Sequence, residues 1–187
     1  ITMNRPDKLN AVDEVMHAEL ARVFVEASND SDCDIVVLTG AGRAFSAGGD
    51  IDWMQRMIDD PASFEKTARE GKQIVFSLLD CEKPVIAKLN GHATGLGATI
   101  ALFCDVIFAS EKAKIGDPHV CVGFVAGDGG AVIWPQLIGY ARAKEFLMTG
   151  DLMTAEEAAK IGLINHAVPA ADLDARVAEF ADRLAAG

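Results

Sequence analysis

Apolar residues at Val12, Met16, Leu20, Val23, Phe24 and Ala27 fall three and four apart with charges between them, the spacing of an amphipathic helix. Ile35 to Thr39 is a short β-branched run ending at Gly40, which predicts a buried strand delivering the chain into the loop Gly40-Ala41-Gly42-Arg43. The same plan recurs: Val85 to Leu89 reads as a strand, Asn90-Gly91 as a turn, and Gly95 to Cys104 as a small-residue helix whose even apolarity implies burial. Val106 to Ala109 predicts a further strand. Between the units, Pro61 to Leu79 reads as a helix with proline at its start and apolar positions at Phe64, Ala68, Ile74, Val75 and Leu78, covering one sheet face.

From about residue 131 the pattern turns helical, with segments Ala131 to Ile138, Ala141 to Met148, one from Thr154 with Glu157 at the capping-box position, and Ala170 to Ala186. Val168-Pro169 ends a short strand. Neither a linker nor a low-complexity tract divides the chain, so residues 1–187 read as a single α/β domain. The opening Ile1-Thr2-Met3-Asn4-Arg5-Pro6 reads as the tail of a strand already under way, which implies a trimmed N-terminus.

With 50% hydrophobic residues the chain can bury one substantial core. The longest uncharged run, Leu89 to Cys104, is short for a bilayer span and holds Asn90, His92 and three glycines, which argues against a membrane segment. Twenty-eight acidic residues against 17 basic ones leave a formal charge of -11, which repels nucleic acid and anionic lipid. Four cysteines, Cys33, Cys81, Cys104 and Cys121, show no CxxC spacing, and three border apolar stretches where a thiol packs as a small hydrophobe; a reducing cytoplasm fits best.

Two glycine-containing turns stand out, Ala44 to Asp50 and Asn90 to Gly97. Each follows a strand and precedes a helix, so each can present unpaired N–H groups to an anion or a developing oxyanion. Taken singly, either is equally readable as an ordinary tight connection. Asp50 reads as the cap of a helix starting at Ile51, and Asp105 as the end of the buried helix. Trp53 and Met54 follow the first turn, where they either line a pocket or pack in the core. His17 and His166 read as surface or core residues, while His92 lies close enough to the second turn to touch a substrate. No metal-ligand spacing links the histidines. A dinucleotide site at Gly95-Leu96-Gly97 is disfavoured, because Ile100 stands where a third glycine or alanine is needed.

The order of Asn4-Arg5-Pro6, Asn10-Ala11, the Ala44 to Ile51 loop, Asn90-Gly91 with its glycines, Cys104-Asp105, Gly123, Gly127-Asp128-Gly129-Gly130, Leu147-Met148-Thr149-Gly150, Ala155-Glu156-Glu157-Ala158 and Gly162-Leu163 resembles the crotonase (enoyl-CoA hydratase/isomerase) superfamily over nearly the whole chain. That resemblance implies a spiral of repeated strand-strand-helix units with C-terminal helices, truncated here because family members continue further. It implies an oxyanion hole at the N–H groups of Ala47 and Leu96, with leucine where the family usually has glycine. It places coenzyme A, as part of the substrate and with no covalently bound cofactor, along Lys8 to Ala11 (Lys8, Leu9 and Ala11) and Ala47 to Ile51 (Gly48, Gly49, Asp50 and Ile51). Gly95, Thr99 and Trp53 complete the expected binding set. A homo-oligomer, trimer or dimer of trimers, is implied as well.

The two glutamates that serve hydratases of this family as acid and base align with Thr99 and His119, so both carboxylates are missing. Histidine titrates near pH ~6.5 and can accept and return a proton, which makes His119 the candidate for proton transfer. Asp128, nine residues later, is the candidate to orient its ring, with Asp117 as a substitute; a turn between Gly127 and Gly129 is the plainer role for Asp128. Three functions follow. The first is an acyl-CoA enzyme of the hydratase/isomerase type. The second is a β-diketone carbon-carbon hydrolase, since His119 and Asp128 followed by Gly129, Val132 and Trp134-Pro135 resemble crotonase relatives that cleave diketones. The third is a non-catalytic acyl-CoA-binding protein.

Overall fold

The computed structural model describes residues 1–187, the side chain of Pro61 excepted. The chain opens on strand β1 (Thr2–Met3), a 3-10 turn (Pro6–Lys8) and helix α1 (Glu14–Asn29), whose first turn is capped by the Asp13 carboxylate accepting from the Met16 N–H. It then runs three times through one plan of strand, short strand and helix. The first pass is β2 (Val36–Gly40), β3 (Ala44–Ser46) and α2 (Ile51–Asp59), prolonged by α3 (Pro61–Leu79). The second is β4 (Val85–Leu89), β5 (His92–Thr94) and α4 (Leu96–Phe103). The third is β6 (Val106–Ser110), β7 (Lys114–Gly116) and, past a second 3-10 turn (Pro118–Val122), α5 (Gly130–Ile138). Helix α6 (Tyr140–Thr149), β8 (Met153–Thr154), α7 (Ala155–Lys160), β9 (His166–Val168) and α8 (Leu173–Ala185) complete the chain.

The first strand of every pass enters a parallel five-stranded sheet of order β1-β2-β4-β6-β9, with Val36 opposite Val85 and Ile86 opposite Val106. The second strand of every pass enters another sheet, of order β3-β5-β7-β8, in which β7 and β8 run antiparallel. Parallel neighbours need a crossover, and here each crossover is long enough to lay a strand in the second sheet before its helix, so the chain winds as a spiral. Helix α4 lies wholly inside, every residue from Leu96 to Leu102 being buried, as its unbroken apolarity requires.

The short strands β3, β5 and β7 are the main departure from expectation. Two of them lie within segments read from sequence as turns, and three residues are too few to display a period-two pattern. Asp105 lies immediately past the end of α4, as expected, and also ties that end down. Its carboxylate accepts from the Val85 N–H at 2.7 Å and its own N–H returns a bond to the Val85 carbonyl at 2.9 Å, which fastens the exit of α4 to the start of β4. The capping box of α7 forms as expected, Thr154 and Glu157 bonding each other reciprocally. All four cysteines are free, and burial pushes the Cys104 thiol far up. Among the described residues no helix is long and apolar enough to cross a membrane.

Candidate active site

The first turn is built against the start of the chain. Leu9 and Asn10 both sit in the left-handed region, at φ 53° and 54°. Asn10 is fully buried and holds that bend by accepting from the Arg5 N–H at 2.9 Å and donating to the Ala41 and Ala44 carbonyls at 2.8 Å each. Arg5 bridges Asp13 at 3.3 Å and Asp50 at 3.2 Å. The segment so fixed is stitched along the turn: Ala47 N–H to Leu9 carbonyl at 3.0 Å, Val12 N–H to Gly48 carbonyl at 2.7 Å, and Asp50 N–H to Val12 carbonyl at 2.9 Å.

These bonds correct one expectation. The Ala47 N–H, anticipated as an oxyanion donor, is already spent on Leu9. The bridge between Val12 and Gly49 uses the Gly48 carbonyl and the Asp50 N–H, so the Gly49 N–H lies on the edge turned away from Val12 and finds no acceptor among the described residues. Gly49 therefore supplies the available donor on this turn. Sequence gives no sign of it, because which amide is free depends on pairing with a segment far back in the chain.

The second turn comes to meet the first. Gly48 has φ 84° and packs so tightly that a Cβ there would lie 2.8 Å from the Thr94 carbonyl oxygen and 3.6 Å from the Gly95 Cα. Gly95 has φ 53°, and its own N–H is bonded to the Gly116 carbonyl. Leu96, the first residue of α4, has no hydrogen-bond partner for its N–H among the described residues, and no side chain caps this helix. Two unspent backbone donors, Gly49 and Leu96, thus flank the contact between the turns, at the positive end of a buried helix.

His119 stands directly over this contact, a Cβ on Gly95 falling 3.5 Å from its Cε1. Its Nδ1 is held by Asp117 Oδ1, which also accepts from the His119 N–H at 3.3 Å, while Nε2 lies 3.6 Å from Asp128 Oδ2. Asp117, rather than Asp128, is thus the hydrogen-bond partner of the ring. Its D-x-H spacing across Pro118 was the available sequence signal. Asp128 faces the other nitrogen and is anchored through Oδ1, which accepts from Thr99 Oγ1 at 3.1 Å and from the Gly130 N–H at 3.3 Å. Burial disfavours the charged imidazole, yet the Asp117 hydrogen bond and the Asp128 and Asp117 charges outweigh it, so the His119 pKa lies above its ordinary value. Burial is also the largest influence on Asp128 and pushes its carboxyl up, with Asp117 adding to the rise and the His119 charge opposing it.

Asp117, His119 and Asp128 offer ligand atoms within 4.8 Å of one another, the signature of a possible metal site. The two carboxylates, however, address opposite nitrogens of one ring, and a single ion cannot sit on both sides of it.

The other anticipated residues separate into two groups. Leu9 and Ala47 line a cavity of about 230 Å³ together with Arg43, Ala44, His92, Thr94 and Leu152. Gly48 and Gly95 form the contact between the turns, and Gly49 follows with Met54 packed against it; Lys8 and Ala11 lie in the Arg5 to Asp13 segment, which bonds the first turn, and Ile51 beyond that turn is exposed. Asp50, Thr99 and Trp53 do not present open binding groups. The Asp50 carboxylate caps α2 through the Trp53 N–H at 3.2 Å; burial raises its pKa, but that bond and Arg5 prevail and hold it low. Thr99 is fully buried with its hydroxyl given to Asp128, and Trp53 is buried with its ring 5.1 Å from that of His17. His92 accepts from the Lys114 N–H at 2.9 Å, and His166 stacks on Phe108 at 4.4 Å. A larger groove of about 440 Å³, between β1 and α1, is far from His119 in its lining and reflects the open sheet edge beside β1. Thr94 lines the smaller cavity, and Gly95, next in the chain, lies beneath the His119 ring.

A spiral of strand-strand-helix units carrying its glycine turns at the mouth of a buried helix is the architecture of the crotonase superfamily. The enoyl-CoA hydratase/isomerase family model matches residues 1–187. A short-chain enoyl-CoA hydratase from Clostridium acetobutylicum is 38% identical over 185 residues, covering 98% of this chain and 70% of that protein. A probable mitochondrial enoyl-CoA hydratase from Dictyostelium discoideum is 34% identical, and the chain spans 65% of its length. Among solved structures, an enoyl-CoA hydratase/isomerase from Mycobacterium paratuberculosis superposes with a TM-score of 0.90 at 40% identity, covering 97% of this chain and 74% of that one. An enoyl-CoA hydratase from Bacillus anthracis superposes with a TM-score of 0.93 at 30% identity, covering 100% and 72%. The chain belongs to the enoyl-CoA hydratase/isomerase family.

Proposed function

We propose that the chain is the core of an acyl-CoA enzyme that gathers the charge of a thioester enolate on the Gly49 and Leu96 N–H groups and moves a proton within the His119-Asp128 pair. The observation that carries this reading is the pair of unspent donors where the two turns touch, one of them at the positive end of α4. Each such donor contributes about 3 kcal/mol to the transition state in acyl-transfer enzymes. One proton-moving centre suffices for isomerisation, which takes a proton from one carbon and returns it to another; hydration must also position a water. The cavity edged by Leu9, Arg43 and Ala47 is the place for the coenzyme A moiety, with the Arg43 and Lys8 cations for its phosphates despite the acidic whole. Exposed Val120, Val122, Val125 and Val132 favour self-association in the oligomer of the family type, which light scattering tests.

A second reading, hydrolysis of a β-diketone, is favoured by one observation: His119 sits between two aspartates. One mass-spectrometric experiment separates the readings. The protein is incubated with 2-enoyl-CoA, 3-enoyl-CoA and a cyclic β-diketone. Gain of water on the thioester marks hydration, an unchanged mass with a shifted retention time marks isomerisation, and both support the leading reading. Ring opening of the diketone with no thioester present supports the second. Inactivity on all three would leave a binding protein.

A further inference from the structure

Both nitrogens of the His119 ring face carboxylates, Asp117 at Nδ1 and Asp128 at Nε2. A neutral imidazole carries one N–H and one lone pair, so either tautomer would aim a lone pair at an anion; the imidazolium aims an N–H at each. The surroundings of His119 are therefore a socket for a cation. Asp128 is held differently. Its Oδ1 takes both of the available donors, Thr99 Oγ1 and the Gly130 N–H, while Oδ2 is buried and receives no hydrogen bond among the described residues. Thr99 lies three residues beyond Leu96 on the same side of α4, a rise of about 4.5 Å, so its hydroxyl fastens Asp128 to the first turn of the helix whose start carries the Leu96 amide.

Resting on the thioester reading, we propose that Asp128 Oδ2 is the atom that takes and returns the substrate proton, and that His119, oriented by Asp117, stays protonated beside it as a positioning residue. With a 3-enoyl thioester, Asp128 forms an O–H bond to the proton leaving C2. The C–H electron pair becomes the C1–C2 double bond of the enolate, and the thioester oxygen takes the negative charge against the Gly49 and Leu96 N–H groups. The same proton then passes from Oδ2 to C4, where the C3–C4 π pair becomes the new C4–H bond; the C1–C2 pair becomes the C2–C3 double bond, the oxygen re-forms the thioester carbonyl, and Asp128 is left as the carboxylate, giving the conjugated 2-enoyl thioester. Atoms and charge balance without water or any further reactant. The groups facing Asp128 are His119, Asp117, Thr99 and the Gly130 N–H, with His17 on α1 at longer range; burial pushes the pKa of His17 down, so His119 is the cation whose charge opposes the rise that burial imposes on Asp128.

The test compares D128N, H119Q and D117N with the wild-type protein across pH on 3-enoyl-CoA. Asparagine keeps the Oδ1 acceptor for Thr99 and Gly130 and removes only the base, so D128N should fold and lose isomerisation by about a hundredfold to ten-thousandfold at every pH. H119Q should retain measurable kcat with its acidic limb moved to higher pH, because Asp128 has lost its cation, and D117N should shift the limb less. Complete inactivity of H119Q, or retained activity of D128N, would overturn the assignment. A readout independent of turnover comes from a 15N NMR titration of the imidazole in the wild-type protein. Both ring nitrogens of His119 should stay protonated to higher pH than those of a free histidine, and a neutral tautomer already at about pH 6 would overturn the proposal. A wild-type protein whose His119 is cationic but which turns over no enoyl thioester would instead strike down the thioester reading, so the two failures are distinct.

Discussion

Leu96→Pro, compared with Leu96→Ala, isolates the second backbone N–H of the proposed site. Leu96 is the first residue of α4, the position where proline fits a helix best, and its N–H makes no bond for the substitution to break. A residue before proline is ordinarily restricted by its Cβ, but Gly95 has none and can keep its φ of 53° and ψ of -127°. The change also removes a buried leucine side chain, 7% exposed, and truncations of that kind cost about 2 to 5 kcal/mol of stability. Leu96→Ala shares that loss and keeps the N–H, which makes it the matched control. Relative to L96A, L96P should lose about 3 kcal/mol of transition-state stabilisation, roughly a hundredfold to a thousandfold in kcat/KM on 3-enoyl-CoA, with a similar melting temperature. Equal kcat/KM in the two variants, with both folded, would refute the role of this amide.

Gly97→Ala should destabilise by about 1 to 3 kcal/mol in thermal unfolding, because a Cβ there would meet Ser46 Cβ at 2.6 Å and the Ser46 carbonyl oxygen at 2.9 Å, leaving α4 no room against β3. Asp105→Ala should cost about 1 to 3 kcal/mol by stranding the Val85 N–H, and Asp105→Asn, which keeps an acceptor, should recover most of it in denaturant titration. Burial, the largest influence on His17, lowers its pKa against the pull of Glu70, so the unfolded chain binds this proton more readily than the folded one. Stability from that source is complete above the unfolded value of about 6.5 and is lost as pH falls through the folded pKa, so H17Q should show a shallower decline in melting temperature than wild type from pH 7.5 to 5. An unchanged slope would remove His17 from the account.

The long elements were legible because each carries its own period. Pro61–Leu79 and Val85–Leu89 fall where their patterns place them, and α4 follows from the apolar run Gly95 to Cys104. The three-residue strands were not legible, since their identity lies in partners: Ala44 in β3 becomes a strand residue by pairing with His92 in β5. The site divides the same way. The Leu96 N–H is unpaired because it opens a helix, a local property, whereas the Ala47 N–H is taken and the Gly49 N–H left unpaired because Ala47 donates to the Leu9 carbonyl and Val12 pairs along the turn, which no local pattern announces. The resemblance directed attention to His119, but the assignment of Asp117 to one nitrogen and Asp128 to the other required the path of the 3-10 turn after β7.

The contact of Arg5 to Asp13 with Ser46 to Asp50 has an evolutionary and practical consequence. Apart from Val12 this stretch contributes no buried apolar residue to the core, yet it dictates which amide of the neighbouring turn stays idle, so it acts as a jig for that turn. A library randomised at residues 7–11 and sorted only for folding should be rich in well-behaved, inert proteins, and one sorted for turnover should return to the Asn10 bend.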